Sequence, residues 1–152
     1  MRARAALFLL VGLGFLVLWG RQESGWREPL PNSDTRVLLG FSALLAGLGA
    51  SLLLWSPGRR STTVSATAAF AAAATNLLED GLGLGWAFFA FIASSLTLLV
   101  GQLVLAARSP RSRAAVPALS ALALATFPAI GGPLMAVAWT IATYQSRSGE
   151  AP

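Results

Sequence analysis

The sequence predicts an all-α fold, a polytopic transmembrane helical bundle of about five spans. Of its 152 residues, 55% are hydrophobic and only 11% are charged, and the mean hydropathy is +0.67. A soluble domain usually carries about a quarter charged residues, so this chain has too few to cover a surface that faces water. The apolar residues also come in blocks rather than in a period of 2 or 3.6. At this length we expect a single membrane-embedded domain over 1–152.

Five apolar blocks approach the length of a membrane-spanning helix. The hydrocarbon core of a bilayer is about 30 Å thick, which a helix of roughly 20 apolar residues crosses. Pro, Gly and Ser between the blocks are typical helix-ending residues. We therefore expect spans at about 3–19, 37–55, 62–82, 84–107 and 116–144.

Arginine positions predict the orientation of the chain, because short cytoplasmic loops carry the excess of basic residues. With five spans, seven of the 11 basic residues fall on one side: Arg2, Arg4, Arg59, Arg60, Arg108, Arg111 and Arg113. The other side holds four arginines and all six acids. This bias predicts a cytoplasmic N-terminus and a C-terminus outside.

Two alternatives to this topology stay open. Residues 1–20 have the basic start and apolar stretch of a signal peptide, although no A-x-A-like cleavage site follows. The fifth block also has a second arrangement, in which it enters the membrane and returns through FPAIGGP at 127–133. That arrangement would leave the C-terminus inside.

The third block is the least hydrophobic and consists mostly of small residues. Small side chains allow helix backbones to approach closely in lipid, where no hydrophobic force drives helices together. We expect this block at the centre of the bundle, with its small faces against blocks two and four. Gln102, within block four, is expected to hydrogen-bond a neighbouring helix.

Polar residues stand between blocks three and four, in the stretch ATNLLEDGLGLGW at 74–86. If the helix continues through residue 80, Asn76, Glu79 and Asp80 share one side of it. An ionisable residue inside a membrane is a functional candidate by default, which makes this cluster a candidate proton, cation or headgroup site. The alternative is an outer loop whose acids face water.

The fifth block is interrupted by four helix-breaking residues: Pro128, Gly131, Gly132 and Pro133. The two prolines leave the carbonyls of Leu124 and Ala129 without their helical donors. Transporters use such broken helices to present backbone dipoles to a substrate, whereas a kinked, tilted helix explains the same residues structurally. If Thr126 lies near block three, a pocket with Asn76 is expected.

The residue inventory excludes most catalytic chemistry. There is no His, Lys or Cys, so Ser-His-Asp and Cys-His triads, Schiff bases and Cys/His zinc sites are absent. We therefore expect no enzyme, no catalytic residue, no cofactor and no bound metal. The sequence favours a non-enzymatic membrane subunit or accessory protein. The alternatives are a small transporter or ion-coupled carrier that uses Asn76, Glu79 and Asp80, and a metal-assisted membrane enzyme that acts on lipid.

The same features predict the surroundings of the protein. The arginines lie at the ends of apolar blocks, so we expect the lipid bilayer as the main partner and no nucleic acid. A second copy or other membrane subunits are the expected protein partners. Arg-only, Ala-rich usage is typical of a GC-rich bacterial genome, so we expect a multi-pass protein of the bacterial cytoplasmic membrane.

Overall fold

The computed structural model describes residues 2–25 and 35–147. Residues 26–34 and 148–152, which include Arg27 and Glu150 of the charge count, lie outside the described part. The described chain is all-α, as predicted, with two short π-helical segments, Leu77–Gly81 and Phe127–Gly131. Its α-helices are α1 (Arg2–Gly25), α2 (Thr35–Trp55), α3 (Arg60–Asn76), α4 (Gly85–Arg108), α5 (Arg111–Ala125) and α6 (Gly132–Arg147).

Three stretches of helix are long and apolar enough to cross a membrane: Ala3–Arg21, Leu38–Trp55 and Gly85–Arg108. They correspond to the first, second and fourth predicted spans. Helices α3, α5 and α6 have only 17, 15 and 16 residues, and they are less apolar than α2 and α4. Three candidate spans suggest a multi-pass membrane protein.

The prediction that the fifth block forms one continuous span is wrong, because the chain reverses within it. The Gln145 side-chain Nε2 donates to the carbonyl oxygen of Ser112 at 2.7 Å, so the end of α6 lies beside the start of α5. At the reversal, the backbone N–H groups of residues 129, 130 and 131 all donate to the Thr126 carbonyl at 3.0 to 3.1 Å. The prolines remove the donors that would have continued the helix. The observed packing matches the second arrangement given for the fifth block, in which the chain returns through FPAIGGP at 127–133.

Helix α6 runs antiparallel to α1, so α6 ends where α1 begins. A Cβ placed on Gly12 would lie 3.1 Å from Trp139 Cβ, whereas one on Gly132 would meet Trp19 and, at 3.0 Å, the Phe15 carbonyl. The expectation that the two termini face opposite sides therefore does not fit the packing. The described parts of both terminal helices reach the same end of the bundle.

The two ends of the bundle differ in charge. The arginine end is the end where α1, α3 and α5 begin and α2, α4 and α6 finish. There, Trp55 Nε1 donates to Gln145 Oε1 at 3.4 Å, and Arg59 Nη1 donates to the Arg108 carbonyl at 3.4 Å. The opposite, acidic end contains both π-helical segments, including Glu79 and Asp80.

Helix α3 packs between α2 and α4 through small side chains, as predicted from its composition, but it does not lie at the expected centre of the bundle. Every buried residue of α3 is small or polar: Thr62, Ser65, Ala66, Ala68, Ala69, Ala72, Ala73 and Asn76. The helix is not enclosed on all sides, because Val64 and Phe70 remain exposed. Larger side chains fill the contact between α1 and α6, where the rings of Phe8 and Trp139 lie 5.2 Å apart.

Candidate functional site

The predicted polar cluster lies where α3 passes into the π-helical segment Leu77–Gly81. The segment ends in a tight turn, in which the N–H of Gly83 donates to the Glu79 carbonyl at 2.8 Å and that of Leu84 to the Leu78 carbonyl at 3.1 Å. Gly83 has a φ of +67°, a left-handed conformation that favours glycine. This turn directs the chain into α4.

Asn76 is the buried member of the cluster, with 5% of its surface exposed. Its Nδ2 donates to the Ser42 hydroxyl of α2 at 3.0 Å. Hydrogen bonds of this kind between polar side chains hold helices together in membranes. The amide of Asn76 therefore has a structural partner in the α2–α3 contact.

The two carboxylates lie in a different environment from the amide. Glu79 is half-buried and Asp80 is exposed. The segment that carries them packs against the start of α2, where a Cβ on Gly81 would lie 3.5 Å from Leu38 Cδ2. Within residues 2–25 and 35–147, no group of three or more Asp or Glu side chains is placed to hold a metal ion. The arrangement offers two adjacent acceptors at the end of the bundle rather than an enclosed site.

The helix break lies against a different part of the bundle from the carboxylates. The segment Phe127–Gly131 packs on α1, α5 and α6. The Thr126 hydroxyl donates to the Leu122 carbonyl of its own helix at 2.7 Å. The predicted pocket between Thr126 and Asn76 therefore gains no support from the packing.

The carbonyl that Pro133 frees is already occupied. Trp19 Nε1 donates to the Ala129 carbonyl oxygen at 3.2 Å. A Cβ at position 132 would collide with Trp19. The absence of a side chain at Gly132 therefore allows α1 to reach this corner. The break thus acts as the corner of the α5–α6 hairpin, and the Trp19 side chain closes it.

Sequence reasoning missed the number of buried polar groups in the core. Gln102 is fully buried, but it does not make the predicted hydrogen bond to a neighbouring helix, because neither its Oε1 nor its Nε2 has a partner among the described residues. The same holds for the hydroxyls of Ser51, Thr62 and Ser120 and for Trp139 Nε1. The sequence feature that could have identified these groups is a polar residue within an apolar block.

No protein-family model, curated protein or solved structure matches the chain. The chemically distinctive features are the carboxylates at the acidic end, the buried polar core and the arginines at the opposite end.

Proposed function

We propose that the protein is a non-enzymatic integral membrane protein that acts as a subunit or accessory protein through contacts with other membrane components. The observation that carries this proposal is the outward position of its large apolar side chains. On α1 and α4 these include Leu10, Leu13, Val17, Phe89, Leu96, Val100 and Leu103, each more than half exposed. Exposed apolar surface of this kind on a helix marks a membrane or protein contact.

The reversal in the fifth block changes the proposed topology to one in which both described ends of the chain face the cytoplasm. Arg147 then joins the basic residues of the arginine end, which holds eight of the 11 arginines when they are counted along the sequence. Three remain on the acidic side: Arg21, Arg27 and Arg36. The bias towards one side is larger than in the five-span arrangement, which supports a cytoplasmic arginine end. From composition, the membrane proposed is the bacterial cytoplasmic membrane.

The residue inventory supports a role in contact rather than in catalysis, since His, Lys and Cys are missing. The partner proposed is a second copy or another membrane subunit. Among the small residues of α2, Ala43 is exposed, whereas a Cβ on Gly47 would lie 3.0 Å from Val11 of the chain's own α1. Ala43 is therefore the position at which a partner contact can be tested without disturbing the bundle.

A carrier that uses Asn76, Glu79 and Asp80 is the competing proposal. The π-helical geometry of the segment that bears both carboxylates favours it, because π-bulges are frequent at functional sites. The carrier needs carboxylates that are shielded from bulk water, whereas the accessory protein does not.

Cysteine accessibility tests the topology and the carrier together, since the chain contains no cysteine of its own. Single substitutions Ser24→Cys, Glu79→Cys, Asp80→Cys, Arg111→Cys and Arg147→Cys are labelled in intact cells with a membrane-impermeant maleimide. We expect labelling at 24, 79 and 80 and protection at 111 and 147 until the cells are opened. Labelling at 147 from outside would restore the five-span topology. Protection at 79 and 80 beside labelling at 24 would favour the carrier.

Function is tested with the purified protein in proteoliposomes that contain a pH-sensitive dye, and by its assembly size in detergent. We expect Ala43→Leu to reduce assembly, while Ala118→Leu, at an exposed position of α5, leaves it unchanged. We expect Glu79→Gln and Asp80→Asn to have no effect on proton flux. The carrier would replace the accessory role if the wild-type protein conducts protons, if Glu79→Gln or Asp80→Asn abolishes that flux, and if Ala43→Leu leaves assembly unchanged.

A further inference from the structure

We propose that a groove between α3 and α4 at the arginine end binds one anionic phospholipid, with its phosphate between Arg60 and Arg108 and an acyl chain along α4. The inference rests on the proposed membrane embedding and assigns a ligand to a surface outside the acid cluster and the helix break.

The groove has a volume of about 480 Å³ and a largely apolar lining. Val64 of α3 and Leu96, Val100 and Val104 of α4 form its walls, and Arg60 and Arg108 close its arginine end. Val64, Leu96 and Val100 are 46%, 56% and 57% exposed, so the groove opens outward. Its surroundings in the proposed topology are lipid.

Two hydroxyl groups in and beside the groove, those of Thr97 and Ser65, donate within their own helices. The Thr97 hydroxyl donates to the Ala93 carbonyl at 2.8 Å, and the Ser65 hydroxyl donates to the Ser61 carbonyl at 2.9 Å. Gly101 forms the floor, because a Cβ there would collide with Ser65 of α3. The walls above the arginines therefore present methyl and methylene groups, which suit an acyl chain.

The length of the groove matches one leaflet. From Leu96 to Arg108, α4 rises about 18 Å at 1.5 Å per residue. Half of a hydrocarbon core about 30 Å thick is about 15 Å. A lipid whose phosphate lies at Arg108 would therefore extend its chain to Leu96, near the bilayer centre.

Among the described residues, the arginine end of the bundle carries no acidic side chain. The acids of the described part, Glu23, Glu79 and Asp80, all lie at or near the acidic end. Arg59 is engaged with the Arg108 carbonyl, which holds the ends of α3 and α4 together. Guanidinium groups bind phosphate with paired hydrogen bonds, and basic pockets between membrane helices on the cytoplasmic side bind anionic headgroups. An anionic phospholipid supplies both the charge and the apolar chain.

The test uses full-length protein in nanodiscs of phosphatidylcholine with or without phosphatidylglycerol, followed by native mass spectrometry of the lipid retained after release into detergent. Arg60→Gln with Arg108→Gln removes the proposed headgroup contacts. Arg111→Gln with Arg113→Gln is the matched control, since it removes the same charge at the same end without touching the groove. Val100→Phe fills the groove at an exposed position and leaves the arginines intact. Helical content by circular dichroism confirms that each variant is folded.

We expect wild-type protein and the control pair to retain phosphatidylglycerol at least fivefold over phosphatidylcholine. The Arg60 and Arg108 pair should lose that preference, and Val100→Phe should retain less of either lipid. An equal loss in both arginine pairs, or full retention by Val100→Phe, overturns the proposal. Formation of a disulfide-linked dimer by the Thr97→Cys variant also overturns the proposal, because it would show that the groove is an interface between two copies of the chain. Failure to reconstitute in either lipid mixture would instead refute the membrane embedding.

Discussion

Trp19 and Ala129 are joined by a 3.2 Å hydrogen bond from the indole nitrogen to the backbone carbonyl. Pro133, four residues after Ala129, has no N–H, so the usual α-helical hydrogen bond to that carbonyl cannot form. A residue 110 positions earlier in the chain takes that role. The contact links the end of α1 to the corner between α5 and α6, and it helps to keep the fifth block folded back.

We predict that Trp19→Phe weakens this corner. The substitution keeps an aromatic ring but removes the donor, which should lower the free energy of unfolding by about 1 kcal/mol. The measurement is unfolding of purified protein in detergent, followed by circular dichroism. Trp86→Phe, at a position 61% exposed at the start of α4, is the control. A loss of equal size in both variants would show that the hydrogen bond contributes nothing specific.

Gly132→Ala should destabilise the contact between α1 and α6. The new methyl group would collide with Trp19 and approach the Phe15 carbonyl oxygen to 3.0 Å. Overpacking of this kind costs about 1–3 kcal/mol. Gly20→Ala, where no atom lies within 4 Å of the added Cβ, should be neutral or stabilising, because alanine favours helix. The melting temperatures of the two variants are compared in the same detergent. Equal melting temperatures would show that α1 and α6 move apart at little cost to accommodate the methyl group.

The hydrogen bond between Asn76 and Ser42 is expected to be structural. A double-mutant cycle with Asn76→Ala and Ser42→Ala should give a coupling energy of about 0.6 kcal/mol, the average for such bonds in membranes. Unfolding in detergent measures the stability term, and ion flux in proteoliposomes measures function. A coupling near zero, together with flux lost in Asn76→Ala alone, would assign the amide to a transport site.

Gln102→Leu should stabilise the bundle. The wild-type amide is fully buried without a partner among the described residues, and such a group costs about 1–3 kcal/mol. Leucine removes the polar atoms and keeps most of the volume, whereas Gln102→Ala should be less stable than Gln102→Leu by about 2 kcal/mol because it leaves a cavity. Denaturant unfolding ranks the three proteins. A less stable Gln102→Leu would show that the amide is bound by a group outside the described chain.

The sequence allowed the position of the two carboxylates to be predicted, but not how far each is exposed. The position of Glu79 and Asp80 at the end of the third block followed from the polar stretch between two apolar blocks. Their exposure did not, because it depends on how the π-helical segment packs on α2. The groove at the arginine end was not predicted at all, since its walls come from two different helices. The packing of α3 on α4, which is close at Ser65 and Gly101, brings these walls together.

The sequence by itself determined an all-α bundle, candidate membrane-spanning helices in blocks one, two and four, and the small-residue packing of α3 on α2 and α4. These properties follow from local composition, which sets whether a segment is apolar, how long a helix it forms and where it stops. The tertiary structure decided that the fifth block folds back. The prolines and glycines at 128–133 permit a kink and a reversal alike, because both relieve the same missing hydrogen bonds. The contacts of α6 with α1, and those of Trp19 with Ala129 and Gln145 with Ser112, select the reversal. They join residues far apart in sequence, where local patterns carry no information.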